Sequence, residues 1–487
     1  MFKYCKGDFS MTNSRSSCTT LIVGKKASID GSIMIARNED HHDTIDPKIF
    51  VVQQASDVAN RTYHSVHTGV TVDLPSKAMR CTYVPQADPS VEGEYGQASW
   101  NSDNVSISAT ESVYGNPRVL AYDPLVEDGI AEDALNHIVA PFIHSAREGV
   151  EFLGKLIEKY GSAEGNGILF ADKDEAWYME IPCGHHYVAV RIPDDCYAVA
   201  PNQVSIEDID FNDPANYIWS TGIQEFVNEH KLNPDREGFV FRHIFGTSNV
   251  KDRVYNTPRA WFIHTYLDEE FYDEPTSPYL PFINKADRLL SVEDVAYCLS
   301  SHYNETEFDP IGHMGTEASR KRFRAISLSR TQESHIMQIQ PEITNGSQAI
   351  QWLSFATNAF TPYVPFFANV NDTPKAYQYS PNKLDTNSAY WLFKLLSYVV
   401  ESHYDTFADK DNAYLYEMQS YSRKRIAEVR KAVTEQKLTG GALTNYLTEA
   451  NQVTADYVLT KTRNLLTDLL QQSLSFSKMS FTMDKNL

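Results

Sequence analysis

A chain of 487 residues, 42% hydrophobic and 22% charged, carries enough apolar material for a large buried core. No apolar run in it reaches the roughly 18 residues that a membrane-spanning helix needs, and the opening residues lack the continuous apolar centre of a secretory signal. The formal net charge of −21 argues against nucleic acid, whose phosphates call for a basic surface.

Residues 1–17 are polar and patternless, with Met11 as an alternative start, and read as a removable leader. Residues 18–23 (CTTLIV) and 32–37 (SIMIAR) are short β-rich runs joined by turn signals that include Asp30-Gly31. A hairpin pairing Val23 with Ser32 places Cys18 opposite Arg37, with Asn38-Glu39-Asp40 following. Strands are expected at 105–109, 167–171 and 176–181, with a further pair at 187–192 and 196–200 joined through Pro193. Between them a helical stretch, 131–160, breaks at Pro141, restarts at the capping box Ser145–Glu148 and closes at Gly161. Residues 212–310 read as long loops and short helices. A strand pair is expected at 323–329 and 335–340. Three helices follow, at 388–403, 413–437 (ended by Gly440-Gly441) and 443–474. Strands, helices and strands again predict an α+β sandwich rather than a doubly wound sheet.

Six cysteines (Cys5, Cys18, Cys81, Cys183, Cys196, Cys298) form no C-x-x-C pair, so zinc-knuckle and thioredoxin-type motifs are absent. Without a signal peptide the thiols are expected free, in a cytoplasmic, reducing compartment. One of them has a special neighbourhood. If Cys18 becomes the first residue, its own α-amine, with an ordinary pKa of about 7.7–8.0, accepts protons near neutrality. A guanidinium across the hairpin favours its thiolate, and Asp40 is suited to hold the resulting ammonium. The alternative for Cys18 is a core thiol at a strand end.

The block Cys18–Ser28, followed by Asp30-Gly31-Ser32 and Ala36–Asp40, resembles the dipeptidase A family of lactic acid bacteria. These are cysteine peptidases of the N-terminal-nucleophile superfamily, similar to penicillin V acylase, choloylglycine hydrolase and the secernins. The likeness continues through 106–112, 175–181, 199–203, 255–259 and 329–335. It implies a four-layer αββα sandwich: residues 1–17 as leader, 18–380 as the hydrolase core and 381–487 as a helical region packed on it. It implies Cys18 as the nucleophile exposed by autocatalytic trimming, and Arg37 and Asp40 as the residues that polarise the thiol and anchor the amine. Asn202 corresponds to the side-chain arm of the oxyanion hole, with a backbone N–H near Thr110 or Glu111 as the second arm. Arg259 is the candidate for the second superfamily arginine, with Arg253 as its rival. Glu111 is a candidate partner for the substrate's ammonium.

The implied reaction is hydrolysis of free dipeptides through a Cys18 thioester, with small peptides as partners, a homo-oligomeric enzyme and no cofactor. An amidase acting on N-acylated small molecules and a non-catalytic, secernin-like binding protein are the competing readings. The 19-residue separation of Cys18 and Arg37 is longer than in related acylases. No metal site is expected: His41-His42 and His185-His186 are adjacent pairs, and neighbours on a strand face opposite sides. The aromatic stripes of the C-terminal helices read as core or subunit contacts.

Overall fold

A computed structural model describes residues 17–479 apart from Val91 and Ser112. The expected leader therefore lies, but for Ser17, outside the described residues.

Two antiparallel sheets dominate. In the first, seven strands run in the order Ile283–Asn284, Tyr197–Ala200, Ser17–Val23, Ile33–Asp40, Thr331–Ile339, Ala349–Phe355 and Val364–Phe367. The second has eight strands, with Asn166–Ala171 and Ser106–Glu111 at its centre. The two-residue alternation of a strand sorts the first sheet's side chains. Ile22, Ile33 and Ile35 share a core with Leu169, Tyr178 and Val188 of the second sheet. Leu21, Val23, Met34 and Ala36 pack instead with Ile263, Val295 and Leu299 on the helices Thr257–Leu267 and Val292–Ser300. The other face of the second sheet, through Ile107, Phe170 and Met179, meets the helices Glu132–Val139 and Ala146–Tyr160. By parity Cys18 and Arg37 thus point between the sheets, whereas Thr19 and Asp40 point to the helices.

The opening hairpin forms, but its register differs from the expected one. Cys18 pairs with Glu39, and Arg37 faces Thr20. Ser32 is not in the strand, because its hydroxyl donates to Asp30 Oδ1 at 2.6 Å within the turn that Gly31 makes at φ 71°. Pairing therefore begins two residues later, which leaves every side chain on its expected face. Gly24 ends the strand where a Cβ would come within 2.5 Å of the Pro193 and Asp194 carbonyl oxygens.

Three further expectations are corrected. The segments around 187–192 and 196–200 are strands but not partners. Val188–Arg191 belongs to the second sheet and Tyr197–Ala200 to the first, with Pro193 in the crossing between them. Residues 323–329 are irregular, and Thr331–Ile339 pairs with Ile33–Asp40 and Ala349–Phe355 instead. Gly440-Gly441 open the last helix, Gly440–Ser473, rather than end the one before it, Tyr404–Glu435.

The broken helix agrees with its capping signals. Ser145 accepts from the Glu148 N–H, and Gly161 closes the helix at φ 74°. Glu148 reaches back to the N–H of His144, one residue before the cap. The C-terminal helices are no separate body: Tyr390, Phe393, Leu459 and Leu466 share the core that contains Ile22 and Leu353. Among the described residues no helix is long and apolar enough to cross a membrane.

Candidate active site

Pro201 shapes the site first. Lacking an N–H, it cannot continue the ladder that pairs Tyr197–Ala200 with Thr20–Val23. The chain diverges after Ala200, leaving the head of the Ser17–Val23 strand paired only on its Ile33–Asp40 side. Arg259 fills that gap from the helix Thr257–Leu267. It is fully buried, and all five of its N–H groups are engaged. Nη1 donates to the Cys18 carbonyl oxygen at 2.6 Å and Thr19 Oγ1 at 2.8 Å. Nη2 donates to Asn202 Oδ1 and Asn256 Oδ1, each at 2.7 Å. Nε donates to the Tyr255 carbonyl oxygen at 2.8 Å. Arg253, by contrast, is exposed.

The Arg259 contact fixes the Asn202 amide, since an NH2 group turned toward a guanidinium would set donor against donor. Asn202 Nδ2 is left buried with no hydrogen-bond partner among the described residues. Such an orphan donor in a closed interior is costly unless something in the working cycle uses it.

On the inter-sheet side, Arg37 Nη1 lies 3.0 Å from Cys18 Sγ. Arg37 Nε donates to Ser108 Oγ at 2.9 Å, and Nη2 donates to Gln97 Oε1. Glu132 and Glu333 stand 3.9 and 4.0 Å from the guanidinium. Burial works against its charge, but Cys18, Glu132 and Glu333 outweigh burial and hold the proton firmly. Behind Ser108 is His335, with Nε2 at 2.9 Å from the hydroxyl and Nδ1 at 2.9 Å from Glu333 Oε1. Burial pushes the imidazole pKa down despite Glu333. A neutral ring satisfies every partner when Nδ1–H donates to Glu333, Nε2 accepts from Ser108 and Ser108 accepts from Arg37. Ser108, Gln97, Glu132, Glu333 and His335 carried no assigned role in the sequence. Three of them, Ser108, Glu333 and His335, sit in conspicuous blocks (SISATES and SRTQESH), but only the fold shows that these blocks converge.

Asp40 lies across the ladder from Ser17, the residue joined to the Cys18 nitrogen. Its carboxylate accepts from Arg324 and from the Thr331 hydroxyl. Thr110 is buried near Cys18, close enough to favour the thiolate. The Glu111 N–H donates to Glu132 Oε2 at 2.9 Å. Glu111, Glu39, Glu92, Glu127, Glu132 and Glu164 help line a cavity of about 420 Å³ beside Arg37. His41 and His42 also line it. The strand ends at Asp40, so these two rings do not point to opposite sides as strand neighbours would. Their centroids are 3.9 Å apart, and with Glu92 they bring ligand-type atoms within 4.8 Å of one another.

With Ser17 still joined to it, the Cys18 thiol is pushed up to about 12, chiefly by burial, which outweighs the pull of Arg37. At pH 8 the thiolate is then a minor form. Iodoacetamide at that pH is expected to leave Cys18 unmodified in protein that retains Ser17 and to label it once residues 1–17 are gone. Peptide mass mapping of the two forms checks this.

Residues 17–417 match Peptidase family C69. The chain belongs to peptidase family C69. Several relatives named dipeptidases cover more than nine-tenths of the chain. It is 51% identical to a "Probable dipeptidase" of Latilactobacillus sakei, over 97% of this chain and 98% of the relative. It is 42% identical to "Probable dipeptidase B" of Lactococcus lactis subsp. lactis (91% and 92% covered) and 40% identical to "Dipeptidase A" of Lactobacillus helveticus (94% and 97%). Superposition on a mutant of conjugated bile acid hydrolase from Clostridium perfringens covers 70% of this C69 chain and 89% of that one. The TM-score is 0.29 at 9% identity, too loose to define how the layers correspond.

Proposed function

We propose that this C69 peptidase is a dipeptidase whose nucleophile is the Cys18 thiol and whose proton carrier is the α-amine of Cys18, freed by removal of residues 1–17. The observation that carries this reading is the Cys18 Sγ to Arg37 Nη1 contact of 3.0 Å, beside an Asn202 amide aimed by Arg259 with its Nδ2 unpaired among the described residues. The names of the relatives support the substrate class.

In the proposed reaction the amine takes the thiol proton, and the sulfur attacks the peptide carbonyl to form a C–S bond. Negative charge moves to the carbonyl oxygen, where Asn202 Nδ2 donates. The ammonium, held by Asp40, returns its proton to the departing amine as the C–N bond breaks. Water then hydrolyses the thioester and releases the first residue's carboxylate. The glutamate-rich cavity beside Arg37 suits a free α-ammonium, with Glu111 as its candidate partner, and favours free dipeptides over N-acylated amides.

The same reading takes the two sheets and their flanking helices as the four-layer αββα sandwich of N-terminal-nucleophile hydrolases. Residues 18–380 form its core, 381–487 a helical region packed on it, and the enzyme is a cytoplasmic homo-oligomer. Intact mass and N-terminal sequencing of the active protein, with a panel of free dipeptides and N-acyl amides, test it. Activity with residues 1–17 still attached, or activity on N-acyl amides alone, overturns it. Asn202→Ala is expected to lower kcat on a free dipeptide by about 10²–10³-fold with little change in KM, because the lost donor acts on charge that appears only in the transition state. Steady-state kinetics of the trimmed variant check the split.

A further inference from the structure

Ser17 occupies a cradle that neither the nucleophile nor the oxyanion donors account for. Its hydroxyl oxygen accepts from Arg324 Nη2 at 2.8 Å and from Arg330 Nη2 at 3.0 Å. The same Arg330 nitrogen donates to the Tyr255 hydroxyl at 3.0 Å. Both guanidiniums are held in place from behind by backbone oxygens. Arg324 Nη1 donates to the Ala325 carbonyl at 2.9 Å, and Arg330 Nη1 donates to the His41 carbonyl at 2.7 Å. Of Arg259, Arg324 and Arg330, only Arg324 is ion-paired among the described residues, to Asp40. The cradle is thus locally cationic in a chain of net charge −21. Burial would raise the Tyr255 phenol, but Arg324, Arg259, the Ser17 hydroxyl and Arg330 together bring it down to about 8. A neutral hydroxyl is a weak occupant for two forked cations, and a carboxylate oxygen fits the same donors with charge assistance.

We propose that, once Ser17 has left, the Arg324–Arg330–Tyr255 cradle binds a carboxylate of the peptide substrate. This rests on the dipeptidase reading and on removal of residues 1–17. Ser17 and Cys18 are neighbours in the chain, about 3.8 Å apart between Cα atoms, so the cradle lies within one residue's reach of the attacked bond. Arg330 also touches His41, a lining residue of the glutamate-rich cavity. An anion site therefore borders the cavity suited to the substrate's ammonium, and the two ends of a zwitterion are read side by side. The carboxylate has two sources, the free C-terminus or an acidic side chain.

The test uses trimmed enzyme, wild type and Arg330→Gln, with kcat/KM measured for Ala-Ala against Ala-Ala amide and for Asp-Ala against Asn-Ala. If the cradle reads the C-terminus, the wild-type preference for the free acid over the amide, about 10–100-fold for a charged hydrogen bond, collapses in Arg330→Gln and is partly restored in Arg330→Lys. If it reads a side chain, the Asp-Ala preference collapses instead. Should neither ratio move, the proposal is overturned. A second readout needs no turnover. In wild-type trimmed enzyme, N-acetylalanine but not its amide is expected to move the Tyr255 phenol titration upward, followed by tyrosinate absorbance with Tyr255→Phe as blank. An unmoved titration overturns the site. Failure of the trimmed enzyme to cleave any dipeptide sinks the dipeptidase reading, while this titration still decides the cradle.

Discussion

Cys18→Ala is expected to reduce dipeptide hydrolysis by on the order of 10⁴-fold or more and to leave residues 1–17 attached. The first effect follows from the sulfur's role as nucleophile, and the second from the autocatalytic trimming that the family resemblance implies. The substitution also has a structural cost: Arg37 Nη1 loses its partner 3.0 Å away inside the protein. An unmatched buried donor costs about 1–3 kcal/mol, so urea unfolding should show a modest loss of stability. Cys18→Ser separates the two consequences. An oxygen still accepts from Arg37 and should restore stability, but a hydroxyl yields its proton far less readily than a thiol, so turnover stays low. Intact mass, turnover and unfolding midpoint measured on both variants check this. Wild-type turnover in either would remove Cys18 from the chemistry.

Arg37→Met is expected to destabilise the protein by about 3–5 kcal/mol, the usual scale for stripping the counter-ion from a buried charge. Glu132 and Glu333 lie within 4.0 Å of the guanidinium and are closed from solvent. Ser108 and Gln97 lose a donor at the same stroke. The deficit depends on pH in a defined direction. Burial already raises the Glu132 pKa despite Arg37, and removing the guanidinium raises it further. A folded state that holds a proton more tightly than the unfolded chain is favoured by acid, and that advantage is lost as pH rises through the raised value. The gap between variant and wild type should therefore narrow as pH falls. Urea unfolding at several pH values measures it, and a gap that widens toward acid would contradict the burial argument. Arg37→Lys is expected to recover little, because Cys18, Ser108 and Gln97 are met by three separate nitrogens of a planar fork that a single ammonium nitrogen does not reproduce.

What could be read from the residues depended on how local the cause was. Alternation and turn chemistry were enough for the opening hairpin, and for the faces on which Cys18 and Arg37 lie. The register slipped by two because Ser32 belongs to its Asp30 turn, a contest between two local bonds that spacing does not decide. Ser145 and Gly161 marked a helix correctly, since capping is settled within a few residues. Gly440-Gly441 misled, because glycine both ends and opens helices and the Thr439 before it is as good a start signal. Arg324 and Arg330 were given no role for a different reason: their partners Ser17 and Asp40 on two neighbouring strands, and Tyr255 on the helix Val250–Tyr255, are distant in sequence and meet only in the fold. The crossing at Pro193 was invisible for the same cause, as a short turn between two strands looks alike whether it joins one sheet or two.

Arg259 standing in for the strand that stops at Pro201 bears on what trimming leaves behind. A polypeptide end ordinarily frays, and a reactive group placed there would spend most of its time badly aimed. Here the carbonyl of Cys18 is clamped by a guanidinium that is itself held by Tyr255 and Asn256, so on the proposed trimming the new terminus would start out immobilised. On that reading the entropy of aiming the thiol is lost when the chain folds, and each catalytic cycle would start without losing it again.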